Sequence, residues 1–255
     1  MLEKEIIRAL ESTSAKTSVV LKDLRNDIWI FQKEEKMVIP SASTIKILIM
    51  TEALNQIQQG KYQLEEKVSI MEEEKVPYSI ISDLTTDFYT FQDLITLMII
   101  VSDNTATNVL IDLLGFDAIN EMATKIGLKN TQLKRKMMDF EAAQMGRQNI
   151  TTAIDMAMLM EKIFNREILN EKLCNHAIDI LKRQKDKIML KRYIPEDTVI
   201  AHKTGDLANL NHDIGIFYLP QQTYLLGVFV TEAQSNLAAQ QIIGEISKLV
   251  YTYYL

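Results

Sequence analysis

Apolar positions follow one period near the two ends of the chain and another in its middle. Helical spacing predicts a helix over 2–12, and β-branched and aromatic residues predict strands over 17–24 and 28–32. Strand patterns return near the C-terminus and give way to a helical one, with predicted strands at 198–203, 213–218 and 224–231 and a helix over 235–253. Both ends of the chain are therefore expected to contribute strands.

The middle of the chain has the period of helices. The predicted helices cover 43–59, 91–101, 104–114, 117–126, 152–164 and 170–182. Gly60, Gly115 and Gly127 follow three of them, at the position where glycine favours the end of a helix. Residues 128–151 follow neither period, which predicts a long irregular loop of the kind that often carries function.

This order of elements predicts an α+β fold in two lobes. An antiparallel sheet lobe is expected from 1–35 and 190–255, and an all-helical lobe inserted between them from 36–189, the two forming one integrated unit. The seam between two lobes is a common place for a ligand site. We therefore expect the functional residues at that seam.

Composition excludes several classes of protein. Hydrophobic residues make up 47% of the chain and charged residues 24%, as in folded globular proteins. The net charge of −6 argues against nucleic-acid binding, which needs a basic face. The longest apolar stretch, 94–101, is far short of the ~20 residues of a membrane span. With Cys174 as the single cysteine, neither an internal disulfide nor a cysteine-based zinc site is expected.

The N-terminal residues Met-Leu-Glu-Lys-Glu-Ile-Ile-Arg look like the start of an amphipathic helix. They contain no long apolar core and no small-residue cleavage site, so they do not resemble a secretion signal. Two locations stay open: the cytoplasm if the chain is taken as written, or an extracytoplasmic compartment if it begins at a mature end.

Ser43 and Lys46 place a hydroxyl and an amine three residues apart at the start of a predicted helix, on one face. A serine hydroxyl is a weak nucleophile until a base takes its proton. A lysine can be that base when burial or nearby cations lower its pKa. Alone, the pair is better explained by a helix N-cap followed by a surface lysine.

Two further triplets change this interpretation. Ser102-Asp103-Asn104 lies at a junction between two predicted helices, and Lys203-Thr204-Gly205 ends a predicted strand. Either triplet alone could be an ordinary turn or strand end. A turn and a strand end do not explain why both follow the serine-lysine pair in this order.

The three motifs resemble those of class A β-lactamases and related penicillin-binding proteins. The likeness extends to the flanking segments 40–46, 101–106, 201–205 and 211–215. It implies a β-lactamase/transpeptidase-like fold with the active site at the seam, and hydrolysis of a β-lactam amide through an acyl-enzyme. We expect a monomer that acts on a small-molecule amide or ester and needs no metal or organic cofactor.

The resemblance also implies a role for each motif residue. Ser43 would be the acylated nucleophile, Lys46 would activate it or relay its proton, and Ser102 would pass a proton to the leaving nitrogen. Asp103 would be structural. Tyr78 would correspond to an aromatic side chain at the mouth of the cleft.

Substrate binding is implied for the other motif positions. Asn104 would bind the amide side chain of the substrate, and Lys203 and Thr204 would hold its carboxylate. The backbone N–H groups of Ser43 and Asp206 would form the oxyanion hole.

The predicted loop over 128–151 departs from the family pattern. Class A enzymes hydrolyse the acyl-enzyme with a glutamate in an Arg-x-Glu-x-x-Leu-Asn sequence, and with Arg135 as the anchor that position holds Met137. A thioether cannot accept a proton from water. Glu141 or Asp139 could replace the glutamate, or both could have solvated or structural roles.

Three functions stay open at this point. The first is a serine β-lactamase acting through Ser43. The second is a penicillin-binding-like peptidase or an esterase with slow deacylation, and the third is a binding or sensor protein that is acylated once. Asp206 stands where the family often has a small residue, and its carboxylate would weaken the attraction of Lys203 for an anionic substrate.

Overall fold

The computed structural model describes residues 2–255 and contains helices and strands in mixed order. The helices are Leu2–Glu11 (α1), Lys46–Gln58 (α2), Phe91–Ile100 (α3), Asn104–Leu114 (α4), Phe116–Ile126 (α5), Phe140–Gln144 (α6), Ala153–Phe164 (α7), Glu171–Lys182 (α8) and Asn236–Tyr253 (α9). The strands are Lys16–Asp23 (β1), Ile28–Lys33 (β2), Ile39–Pro40 (β3), Lys67–Ser69 (β4), Phe88–Thr90 (β5), Ile150–Thr151 (β6), Val199–Leu207 (β7), Leu210–Tyr218 (β8) and Thr223–Thr231 (β9).

The main sheet has five antiparallel strands in the order β2-β1-β9-β8-β7. Strands from the two ends of the chain meet where β1 pairs with β9, and helices α2 to α8 lie in the sequence between β2 and β7. The predicted α+β class with a sheet built from both chain ends is therefore confirmed. The lobe boundaries at 35/36 and 189/190 stay predictions.

Two apolar clusters cover the two faces of this sheet. On β9, Leu225 and Phe229 pack with the helices of the inserted part, whereas Leu226 and Val228 pack with α1 and α9. Successive strand side chains point to opposite faces, so one strand supplies both clusters. The sheet is buried on both sides, so a site can border it only at one of its edge strands, β2 or β7.

The strand that carries the lysine triplet is longer than predicted. It continues to Leu207, so Lys203-Thr204-Gly205 lies inside β7 and not at its end, and β8 begins at Leu210 instead of 213. The two strands are joined by a tight hairpin, in which Asn209 has a left-handed φ of 56°. Residues 211–213 are polar, so the start of β8 lacks the apolar pattern by which a strand is predicted. Their side chains are nevertheless buried, because each has a polar partner inside the protein.

The remaining differences concern short elements. The predicted helix at 43–59 begins as a 3-10 turn over Ala42–Ile45 and becomes α-helical at Lys46. The predicted irregular loop contains α6 and β6, and β6 pairs with β3. Two-residue and three-residue strands show no period, so they cannot be read from a sequence. None of the helices within 2–255 has the length and apolar character needed to cross a membrane.

Candidate active site

A cleft of about 550 Å³ lies between the edge of the sheet and the helices. Its walls come from the 3-10 turn before α2, the α3–α4 junction, the loop before α6 and the end of β7. The side chains from these four segments include Ser43, Ser102, Asn104, Arg135, Met137 and Asp206. The seam predicted to hold the functional residues thus contains a cavity large enough for a small molecule.

Ser43 is the second residue of the 3-10 turn and lines the cleft half-buried. The preceding Ala42 has a left-handed φ of 45°, so the chain turns sharply just before the serine. N–H groups in the first turn of a helix have no acceptor within the helix, which leaves the Ser43 N–H available to a ligand. Among residues 2–255 the Ser43 hydroxyl has no hydrogen-bond partner, so it is free to react.

Lys46 follows one turn later and is completely buried. Its Nζ donates to the Ser102 carbonyl (2.7 Å), the Ser102 hydroxyl (3.1 Å) and Asn104 Oδ1 (2.9 Å). Throughout the described chain no carboxylate lies within ion-pair distance of this amine. Burial lowers the pKa of Lys46 well below its ordinary value, and the charge of Lys203 lowers it further. A lysine in this state can serve as a base.

Ser102 connects the two lysines. Its hydroxyl accepts from Lys46 at 3.1 Å and from Lys203 at 3.2 Å. The residue has a left-handed φ of 57°, uncommon for a serine, at the junction where α3 ends and α4 begins. A hydroxyl between two amines can take a proton from one side and give it to the other.

The residues after Ser102 hold the cleft wall together. The Asp103 carboxylate accepts from the Ala106 N–H at the start of α4 (2.9 Å), from the Ser79 hydroxyl (2.9 Å) and from the Ile81 N–H (3.1 Å). Asn104 donates to the Pro77 carbonyl (3.2 Å). These bonds fix the segment that bears Tyr78, whose side chain is 82% exposed at the edge of the cleft.

Strand β7 approaches the serine turn very closely at Gly205. A Cβ at this position would lie 2.9 Å from the Ser43 nitrogen and 3.2 Å from the Thr44 nitrogen. Only glycine allows this distance between the two backbones. The approach brings the exposed Asp206 into the cleft wall, whereas Thr204 is buried and outside the wall.

Lys203 is fully buried behind the cleft. Its Nζ donates to the Thr204 carbonyl (2.8 Å) in addition to the Ser102 hydroxyl. Burial lowers the pKa of Lys203 to about 8, although the carboxylates of Asp186, Asp213 and Asp206 oppose the shift. The Lys203 amine is therefore protonated in most molecules at pH 7.

The loop before α6 presents a thioether to the cleft. Met137 lines it, and the Asn108 side chain holds its backbone by accepting from the Met137 N–H (2.8 Å) and donating to its carbonyl (3.1 Å). The Asp139 carboxylate caps α6 through the Ala142 N–H (2.9 Å), and Glu141 is exposed outside the cleft wall. Within the part of the chain the structure describes, Asp206 is the only carboxylate that lines the cleft.

Sequence reasoning did not identify several polar residues of the wall. Gln148 and Asn149 line it beside Arg135, and Asn236 lines it from the start of α9. Asn236 donates to the carbonyl of Leu207 (2.8 Å) and so ties α9 to the end of β7. The first two lie in the segment without periodicity, so no sequence signal indicates their position. No group of three or more metal-ligating side chains occurs among residues 2–255.

Comparisons with known proteins agree with this architecture. A model of the beta-lactamase enzyme family matches residues 1–254. The beta-lactamase VEB-1 of Pseudomonas aeruginosa is 25% identical over 92% of this chain and 87% of its own length. The solved structure of PBP-A is 26% identical with a TM-score of 0.89, covering 99% of this chain and 95% of that one. An ancestral class A beta-lactamase superposes with a TM-score of 0.91 at 24% identity over 100% of both chains.

The two structural comparisons show that the chain has the fold of class A β-lactamases and the transpeptidase-like penicillin-binding proteins. The family match covers nearly the whole chain, including both walls of the cleft. By this match, the chain belongs to the beta-lactamase enzyme family.

Proposed function

We propose that the protein opens the amide of a β-lactam ring by acylation of Ser43. The observation that carries this proposal is the hydrogen-bonded link from the buried Lys46, whose pKa is lowered by burial, to Ser102 and on to Lys203. Ser43 lines the cleft three residues before Lys46, and Ser102 lines the same cleft. Such a site contains a base, a nucleophile and a proton relay within one cleft. A variant of the related PBP-A has been solved as an acyl-enzyme with penicillin G, which supports this substrate class.

The acylation step follows from these positions. Lys46 takes the proton of the Ser43 hydroxyl as its oxygen attacks the lactam carbonyl carbon. The N–H groups of Ser43 and Asp206 stabilise the oxyanion. When the carbon–nitrogen bond breaks, Ser102 gives its proton to the leaving nitrogen and regains one from the Lys46 ammonium. The ring is then open and joined to Ser43 as an ester.

Lys203 provides the positive charge for the carboxylate of the substrate. Its pKa of about 8 leaves it mostly charged at neutral pH, and it lies next to Ser102. The exposed carboxylate of Asp206 acts against this attraction. We therefore expect weaker binding of anionic substrates than a site without Asp206 would give.

The second candidate function is a penicillin-binding-like protein with slow deacylation, and the side chains of the loop before α6 favour it. Met137 occupies the loop position in the cleft, Asp139 is used as a helix cap, and Glu141 is exposed outside the wall. None of the three places a carboxylate where it could activate water for attack on the ester. A penicillin-binding-like protein with a long-lived acyl-enzyme fits this arrangement.

Intact-protein mass spectrometry over time after mixing with penicillin G tests both candidates. Ser43→Ala must abolish the adduct, while Ser41→Ala is the matched control, because Ser41 is a buried hydroxyl in the same turn outside the cleft wall. An adduct that forms and clears with release of hydrolysed drug indicates a β-lactamase. A persistent adduct indicates the slow-deacylation candidate. Absence of both an adduct and hydrolysed drug would refute the proposal.

A further inference from the structure

Arg135 is a buried cation in the wall of the cleft. The residue is only 8% exposed, and it lines the cleft. Nε donates to Gln148 Oε1 (2.9 Å) and one terminal nitrogen donates to the Lys136 carbonyl (2.9 Å). Among residues 2–255, no partner is found for the other terminal nitrogen, and no carboxylate lies within 4.0 Å of the guanidinium.

The surrounding loop holds the backbone of Arg135 in place. Asn149 Oδ1 accepts from the Arg135 N–H (3.0 Å), and Asn149 Nδ2 donates to the Arg135 carbonyl (3.1 Å). Because Gln148 uses its oxygen to accept from Arg135, its amide N–H groups point elsewhere and have no partner in the described chain. Arg135 and Gln148 both line the cleft, and each carries N–H donors that have no partner in the described chain.

The neighbouring charges do not neutralise Arg135. Asp139 is the acid whose charge affects the pKa of Arg135, but its carboxylate accepts a hydrogen bond at the start of α6 instead of pairing with the guanidinium. Lys136 is paired with Asp112, and Arg147 is exposed on the same loop. Burial lowers the pKa of Arg135, although an arginine remains charged in proteins. A buried charge without a counter-ion is unfavourable, so an anionic ligand would stabilise this wall.

We propose that Arg135, assisted by Gln148, binds a carboxylate on the acyl side chain of the substrate, a specificity that rests on the proposed function. The two cations belong to different elements, Arg135 to the loop wall and Lys203 to the strand behind Ser102, and serve different anions. Lys203 takes the carboxylate of the lactam nucleus, which leaves the loop wall for the side chain on the carbonyl side of the amide. A guanidinium suits a carboxylate because it offers paired donors.

A matched pair of penicillins tests this assignment. Benzylpenicillin and carboxybenzylpenicillin differ by one carboxylate on the acyl side chain, and second-order acylation rates for both are measured by mass spectrometry. In Arg135→Gln we expect the rate ratio of carboxybenzylpenicillin to benzylpenicillin to fall about tenfold or more, the value of one charged hydrogen bond. Arg135→Lys should restore part of the ratio. Arg147→Gln, which removes an exposed arginine of the same loop, should leave it unchanged.

A merely structural role gives a different result. Arg135→Gln would then slow both penicillins equally and lower the melting temperature without changing the ratio, which overturns the assignment. If neither penicillin forms an adduct or is hydrolysed, the proposed function fails, and calorimetry with phenylmalonate and phenylacetate decides the assignment instead. Preference for the dianion in the wild type and its loss in Arg135→Gln would support Arg135 as the anion site. Equal binding of the two acids would refute it.

Discussion

Replacing Gly205 by alanine should separate the two walls of the candidate active site at Ser43, the proposed nucleophile. The added Cβ would lie 2.9 Å from the Ser43 nitrogen and 3.1 Å from the Ala42 Cβ, whereas ordinary van der Waals contact begins at 3.4 Å. The atoms in the way belong to the backbone and to a short side chain, which cannot rotate aside. The serine turn and β7 must therefore move apart by about 0.5 Å or more.

The expected effect on catalysis follows from this displacement. The proposed oxyanion hole uses one N–H from each wall, so its width changes directly. A misplacement of about 1 Å can slow a reaction ~10²-fold, and we expect acylation of Ser43 to slow roughly tenfold to a hundredfold in Gly205→Ala. Overpacking should also lower the free energy of unfolding by about 1–3 kcal/mol.

Gly227→Ala is the matched control, because it adds the same methyl group to the same sheet away from the cleft. Its Cβ would meet Val20 Cγ2 at 2.9 Å and Ile214 Cδ1 at 3.1 Å, both at the ends of side chains that can shift. Thermal unfolding and the rate of adduct formation are measured for both variants. Loss of stability in both with slow acylation only in Gly205→Ala supports the reasoning. Wild-type acylation by Gly205→Ala would refute it.

Three further changes test the proposed chemistry by the same mass-spectrometric assay. Lys46→Met should slow acylation about 10²–10⁴-fold, the value of a general base, and an unchanged rate would exclude Lys46 from this role. Met137→Glu should speed clearance of the adduct without changing its formation, with Met137→Gln as the uncharged control. Lys203 loses its charge as pH rises through about 8, so the acylation efficiency should fall above that pH for penicillin G and less for a β-lactam whose nucleus lacks the carboxylate. Parallel profiles for the two substrates would contradict this.

The periodic elements were predictable from the sequence because burial repeats along them. Strand β9 alternates between two apolar clusters and helix α9 buries one face, and both appear within a few residues of their predicted bounds. Strands β3 and β6 consist of two residues each, too few for any period. Their pairing depends on contacts between distant parts of the chain, which a local pattern does not contain.

The motif residues were also predictable as a group: Ser43 and Ser102 line one cleft, and the buried Lys46 and Lys203 both bind the Ser102 hydroxyl from behind it. Their chemical roles stay predictions until the variants are measured. The position of Thr204 outside the cleft wall was not predictable, because it depends on how far along β7 the cleft extends, and the cleft meets this strand only at Asp206 and Leu207. The unpaired state of Arg135 was equally hidden, since the sequence offers Asp139 four residues later as an apparent partner.

The loop is held by amide side chains, and this determines what its sequence can change. Asn108 binds both backbone polar groups of Met137 from 29 residues away, and Asn149 binds those of Arg135 from 14 residues away. Because these bonds involve the backbone of the loop, they do not depend on which side chain stands at either position. A glutamate at 137 should therefore enter the cleft as the methionine does. The chemistry of deacylation can thus change by substitution there while the fold of the loop is retained.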